Sequence, residues 1–216
     1  MAERQHILRW GGACGLLAAL ILTVMMALGL AAGPDSTELL QPTDPAKVTE
    51  LLAGYGAVTK ASIVLDDLFA LAYTGAFLGL AALVWPRSRW LAGTAMVFAL
   101  ATAVLDFTEN ARLMTMALGI GGEANLTGSA LREINIITQL KYAASHMAVF
   151  LFGIGLVRRD LLTWTMTVLL FAFAVVSTIA FAYSAAGLVR ILFMWLLLVL
   201  GGWLAWQESK TMEGER

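Results

Sequence analysis

Charged residues are scarce in this sequence, and their scarcity limits the class of protein to which the chain belongs. Of its 216 residues, 13% are charged and 60% are hydrophobic, and the mean hydropathy is +0.80. A soluble domain of this length needs a largely polar exterior, which this composition cannot supply. The net charge of −1 provides no basic surface for nucleic acid either. We therefore expect a membrane protein whose partner is the lipid bilayer and which binds no nucleic acid.

Cysteine and histidine are also rare, and this excludes several kinds of chemistry. The single cysteine, Cys14, rules out an internal disulfide and a CxxC redox pair. Of the two histidines, only His146 falls within an apolar segment, whereas a membrane-spanning b-type haem needs a pair of them. We expect no haem, flavin or disulfide chemistry. A divalent metal bound by carboxylates and an imidazole stays an open alternative.

Proline is confined to the stretches between long apolar segments, at Pro34, Pro42, Pro45 and Pro86. A helix that crosses the hydrocarbon core needs about 20 residues, at about 1.5 Å per residue. Six segments approach that length: 9–32, 63–85, 90–112, 138–157, 161–184 and 187–206. The sequence therefore predicts an all-α fold in which residues 1–216 form a single domain, a bundle of six transmembrane helices. Glycines four residues apart, at 11 and 15 and at 75 and 79, predict close packing of the first two helices.

Basic residues are distributed unevenly between the two ends of these segments. Arg87, Arg89, Arg158 and Arg159 lie in very short turns on one side, whereas the long loop 33–62 on the other side is acidic. Short basic loops are typical of the cytoplasmic side of a membrane protein. Most tryptophans lie at the same ends of the segments as the arginines, where amphipathic rings favour the headgroup level. We expect both termini to be cytoplasmic and the protein to lie in a bacterial inner (plasma) membrane.

The outer loop 33–62 contains one further helical pattern. Asp44 can cap the beginning of a helix, and Pro45, which follows it, is well suited to the first helical position. Apolar residues at helical spacing follow, so we predict a short helix over 45–54. It either lies on the outer membrane surface or packs over the neighbouring loops.

Ionisable and polar side chains within the spans are concentrated in their outer halves. Heights measured along each helix bring the following residues together: Asp66, Asp67, Tyr73, Asp106, Glu109, Asn110, Lys141, Tyr142, His146 and Arg190. A charge in the bilayer interior is costly, so these side chains should face a shared polar interior. Asp106 and Lys141 have similar heights on helices that should be neighbours. We therefore expect them to pair.

Two interpretations of this cluster remain open. As a functional site, it would use His146, Asp106 and Glu109 as catalytic groups if the protein is an enzyme. The ligand-binding groups would be Asp66, Asp67, Tyr73, Asn110, Lys141, Tyr142 and Arg190. The site would narrow from the outer surface towards His146, the deepest of these residues. As a structural element, the four carboxylates would instead form an ion-pair network with Arg112, Lys141 and Arg190.

Three functions are consistent with these patterns. The first is an outer-face-open intramembrane site that binds or transports a small solute, an ion or proton, or a lipid head group. The second is an intramembrane enzyme that acts on a lipid by metal or acid–base chemistry. The third is an accessory subunit of a membrane complex in which the cluster is only structural. Association of the chain into a homo-oligomer or a larger membrane complex is an expectation under all three.

Overall fold

The structure is a computed structural model, and it describes residues 2–32, 45–54, 56–119, 128–157, 160–182 and 186–214. Every regular element in these ranges is an α-helix. The helices are α1 (Ala2–Ala32), α2 (Pro45–Gly54), α3 (Gly56–Val84), α4 (Arg89–Gly119), α5 (Gly128–Leu156), α6 (Leu161–Ala182) and α7 (Ala186–Gly214). The all-α fold predicted from the sequence is confirmed.

Five of the six long helices are long and apolar enough to cross a membrane: α1, α3, α4, α6 and α7. The remaining long helix, α5, carries Gln139, Lys141 and His146, which lower its mean hydropathy. It nevertheless packs directly between α4 and α6. That α5 is a sixth span stays a prediction.

The long helices form a ring in which each contacts the next. The order is α1, α3, α4, α5, α6 and α7, and α7 returns to α1. Helix α3 also contacts α5 and α7 across the ring. It therefore has more helix neighbours than any other helix in the described ranges, and its residues are well placed to line an interior site.

Glycines allow α1 to pack closely against α3 and α7. A Cβ atom built on Gly11 would lie 2.4 Å from the Cα atom of Gly79, and one built on Gly15 would lie 3.0 Å from the Cα atom of Gly202. Such distances leave no space for a side chain. The predicted close packing of the first two long helices is confirmed, and the contact with α7 was not foreseen.

The beginning of α1 and the end of α7 lie at the same end of the bundle. Arg4 of α1 pairs with Glu208 of α7 at 3.3 Å, and the Arg4 Nε also donates to the carbonyl oxygen of Ala82 at 3.0 Å. Helices α1 and α7 therefore extend beyond the apolar segments expected for them, because polar residues continue both helices and pair with each other. That this end faces the cytoplasm of a bacterial cell stays a prediction.

Helix α2 covers the range 45–54 in which a short helix was predicted. Its Val48 is fully buried against Ala117 of α4 and Leu131 of α5. This side of the helix packs on helices α4 and α5, whereas the second interpretation expected packing over loops. Contact of the helix with a membrane surface stays a prediction, and Asp44 lies outside the described residues.

Candidate functional site

The centre of the polar cluster is an ion pair between α4 and α5. The Lys141 Nζ donates to Asp106 Oδ1 at 2.8 Å and also donates to Glu109 Oε2. Asp106 and Glu109 are three residues apart on one face of α4, so a single ammonium group can reach both. The expected pair of Asp106 and Lys141 is confirmed, and Glu109 shares the same cation.

The second oxygen of each of these carboxylates accepts a hydroxyl donor. The Tyr73 hydroxyl of α3 donates to Asp106 Oδ2 at 2.9 Å, and the Thr138 Oγ1 of α5 donates to Glu109 Oε1 at 2.5 Å. Asp106 is 5% exposed and Glu109 7%. The sequence interpretation missed Thr138, although it lies three residues before Lys141 and therefore on the same face of α5.

Asn110 joins the adjacent carboxylates of α3 to this group. Its Nδ2 donates to Asp66 Oδ2 and to Asp67 Oδ1, in each case at 3.0 Å. Asn110 itself is 3% exposed. An amide with two N–H donors can serve two acceptors, so one side chain of α4 binds both aspartates of α3. The cluster thus connects the three consecutive helices α3, α4 and α5.

A cavity of about 170 Å³ begins at this cluster. Its polar lining consists of Asp66, Tyr73, Thr102, Asp106, Lys141, Tyr142 and Ser145. The remainder is Phe69, Ala76, Phe77, Leu80, Val149, Met166, Leu170, Phe173, Met194, Leu197, Leu198, Gly201 and Gly202. A Cβ atom built on Gly201 would lie 3.0 Å from Met166 Cε and 3.7 Å from Leu80 Cδ2, so these apolar residues meet at the end away from Asp66. The cavity is therefore polar at one end and apolar along the rest.

The structural interpretation expected an ion-pair network in which Arg112, Lys141 and Arg190 balance the four carboxylates. The cations are distributed differently. Arg112 is largely exposed and pairs with Glu133 at 3.5 Å, beyond the cluster. The Arg190 guanidinium lies 4.8 Å from the centre of the Tyr142 ring, a cation–π contact. Among the described residues, Lys141 is the cation that pairs within this group of four carboxylates, and it pairs with two of them, Asp106 and Glu109. If all four are ionised, they exceed it by three charges.

His146 does not lie at the base of this cavity, and the expected narrowing towards it is not found. Its ring lies 6.4 Å from that of Phe173 of α6, centre to centre, and it is absent from the cavity lining among the described residues. The reason is rotation, since successive helical residues are turned by about 100° and Ser145 takes the cavity-facing position. The His146 Nε2 is buried with no hydrogen-bond partner in the described part of the chain, as is Ser177 Oγ.

The residues predicted for the site are therefore divided between different surroundings. Asp66, Tyr73, Asp106, Lys141 and Tyr142 line the cavity. Glu109, Asn110 and Asp67 support it through hydrogen bonds and the ion pair. Arg190 and His146 are outside the lining and both contact the Tyr142 ring, the Arg190 guanidinium at 4.8 Å from its centre and the His146 ring at 6.4 Å between centres.

A metal centre is not evident in the described ranges, which contain no group of three or more His, Cys, Asp or Glu side chains placed to hold an ion. Comparison with known proteins found no protein family that matches this sequence, and no similar curated protein or solved structure.

Proposed function

We propose that this protein is a multi-pass membrane protein that binds, or carries across the membrane, a small solute in the cavity between α3, α4, α5, α6 and α7. The ionisable end of the cavity would receive the polar part of the solute and would open towards the outer face of the membrane. Asp66, Asp106 and Tyr73 would contact it there. A proton, an ion or a lipid head group would be bound by the same groups.

One observation carries this proposal: a cavity of about 170 Å³ has a buried ion pair in its wall. A buried ion pair needs no adjacent cavity if its role is to join helices, because close packing around the pair would strengthen the attraction between its two charges. An engineered apolar cavity of about 150 Å³ is large enough to bind benzene. The space beside Asp106 and Lys141 is thus sufficient for a small molecule.

A structural role of the cluster is the second candidate, and it also has an observation in its favour. Both oxygens of Asp106 and of Glu109 are occupied by donors from α3 and α5. A network in which every carboxylate oxygen accepts a hydrogen bond can join helices without any ligand. Under this candidate, the protein would be an accessory subunit of a membrane complex.

Access to the cavity distinguishes the two candidates, and two threonines provide a matched pair. Thr102 lines the cavity, whereas Thr167 is fully buried elsewhere on α6. Each donates its hydroxyl to the carbonyl oxygen four residues earlier, at 2.9 Å. In a Cys14→Ser background, Thr102→Cys and Thr167→Cys would be treated with methyl methanethiosulfonate, a small neutral thiol reagent, and the added mass measured over time.

We expect the cysteine at position 102 to react at least roughly tenfold faster than that at 167, because a reagent the size of a small solute reaches only the cavity. Equal, slow rates would contradict the proposal and favour the structural role. A charged reagent that cannot cross membranes, added outside intact cells, should also modify position 102. Modification only from the cytoplasmic side would reverse the proposed opening.

A further inference from the structure

The cavity described above has one carboxylate that faces it without a paired cation among the described residues. Asp106 is paired with Lys141, and its second oxygen accepts the Tyr73 hydroxyl. Asp66 also lines the cavity, but its described partner is the neutral amide of Asn110, which donates to one of its oxygens. Asp66 therefore offers the cavity a negatively charged acceptor that no cation of the described residues pairs with.

Aromatic rings surround the space next to Asp66. Phe69, Tyr73 and Phe77 follow one another along α3, and their rings meet edge to face at 5.2 and 5.7 Å. All three line the cavity, as does Phe173 on the opposite helix α6. Aromatic faces attract cations, and a carboxylate combined with aromatic walls is a common arrangement for binding organic ammonium groups. The same walls exclude strongly hydrated inorganic ions, because they offer few oxygen ligands.

We propose that the ligand of this cavity is a small lipophilic ammonium compound, with its cationic nitrogen at Asp66 and its apolar body between Phe69, Tyr73 and Phe173. This inference rests on the proposed function, since it names the class of solute that the cavity takes. An anionic ligand is disfavoured because Lys141, the cation in the lining, is already shared by Asp106 and Glu109. A lipid with long chains is disfavoured by size.

The volume sets the size of the apolar body. A cavity of about 150 Å³ holds one benzene molecule, and the space here is about 170 Å³. A ring with a two-carbon arm to the nitrogen, as in phenethylamine, is therefore a suitable probe. Phenethyl alcohol has the same ring and arm without the charge, and hydrocinnamate carries a negative charge instead.

Protection of a cysteine in the cavity measures binding directly. In the full chain with Cys14→Ser and Thr102→Cys, phenethylamine should slow modification by methyl methanethiosulfonate, while phenethyl alcohol and hydrocinnamate at the same concentration should not. Charge-assisted hydrogen bonds contribute enough that Asp66→Asn should raise the half-protecting concentration of phenethylamine roughly 10- to 100-fold. Glu133→Gln is the control, because it also removes one carboxylate charge but Glu133 is exposed and pairs with Arg112 beyond the cluster, and it should retain protection.

A second measurement avoids the cysteine variants. Calorimetric titration of phenethylamine into the detergent-solubilised wild-type chain should show binding that Asp66→Asn weakens and Glu133→Gln does not. Equal protection by the amine and the alcohol, protection by hydrocinnamate, or no protection at a reactive position 102 would each overturn the ammonium proposal and leave the small-solute site in place. Unreactive cysteine at position 102 would overturn both.

Discussion

The Lys141 ammonium nitrogen lies 2.8 Å from Asp106 Oδ1 across the contact between α5 and α4, and the same nitrogen also donates to Glu109. Lys141→Met would leave two buried carboxylates without their cation, which costs about 3–5 kcal/mol for a broken buried pair. Asp106→Asn added to Lys141→Met should restore only part of this loss, because Glu109 is still uncompensated. The triple variant with Glu109→Gln should restore most of it. Denaturation of the purified variants in detergent measures the free energies of unfolding, and strictly additive losses would show that the three residues do not interact.

Thr138 should stabilise the protein through its hydroxyl group. Its Oγ1 donates to Glu109 Oε1, so Thr138→Val would leave a buried acceptor with one donor fewer and cost about 1–3 kcal/mol. Thr108→Val is the control, because Thr108 is exposed on α4 and its hydroxyl donates only to its own helix. We expect its unfolding free energy to change by less than about 0.5 kcal/mol. A similar loss in the two variants would attribute the effect to helix propensity.

The contact between Gly11 and Gly79 should not tolerate a methyl group. A Cβ atom on Gly11 would lie 2.4 Å from the Gly79 Cα, so Gly11→Ala must separate α1 from α3 and should destabilise the fold by about 1–3 kcal/mol. Gly93→Ala makes the same change within α4, where nothing lies within 4 Å of the new atom. That variant should gain about 0.5–1 kcal/mol from its lower backbone entropy when unfolded. Thermal unfolding of both variants in detergent measures the difference in stability between them. Equal stabilities would show that α1 and α3 can separate without cost.

The orientation of the bundle is testable by thiol labelling of intact cells. Lys210 is exposed near the end of α7, which lies beside the beginning of α1. In a Cys14→Ser background, Lys210→Cys should be protected from an impermeant thiol reagent, because the short basic turns are expected in the cytoplasm. Ser36→Cys, in the acidic outer loop, should react. The opposite labelling pattern would invert the predicted topology and turn the ionisable end of the cavity towards the cytoplasm.

The heights of the polar residues were predictable from the sequence, but their orientation around each helix was only partly so. Asp106 and Lys141 have comparable heights and adjacent helices, and these two facts sufficed to predict their pair. The orientation of His146 was not predictable in this way. Its height suggested a place below Tyr73, yet its ring turns towards Phe173 because Ser145 occupies the cavity side of α5. Successive residues are turned by about 100° around the helix axis, so the side chain that faces the cavity can be identified only when the neighbouring helices are known.

Long-range partners were missed for a related reason. Arg112 was expected to balance the buried carboxylates, but it pairs with Glu133 at the exposed side of α4 and α5. Long flexible side chains near the end of a helix reach water readily, and depth alone does not tell where they point. The contact of Gly15 with Gly202 was missed because it depends on the packing of α7 against α1. The two residues are far apart in the sequence, and local sequence patterns do not predict such contacts.

The sequence alone predicts the all-helical class, the long apolar helices and the presence of polar residues on three consecutive helices. These properties follow from local periodicity and from the cost of charge in an apolar solvent, which act on each segment separately. Three other properties depend on the tertiary structure: Lys141 serves two carboxylates, Asp66 faces a cavity and His146 does not. Those relationships depend on how six helices are rotated and packed against one another, and packing is a property of the whole ring because each helix contacts two or more others.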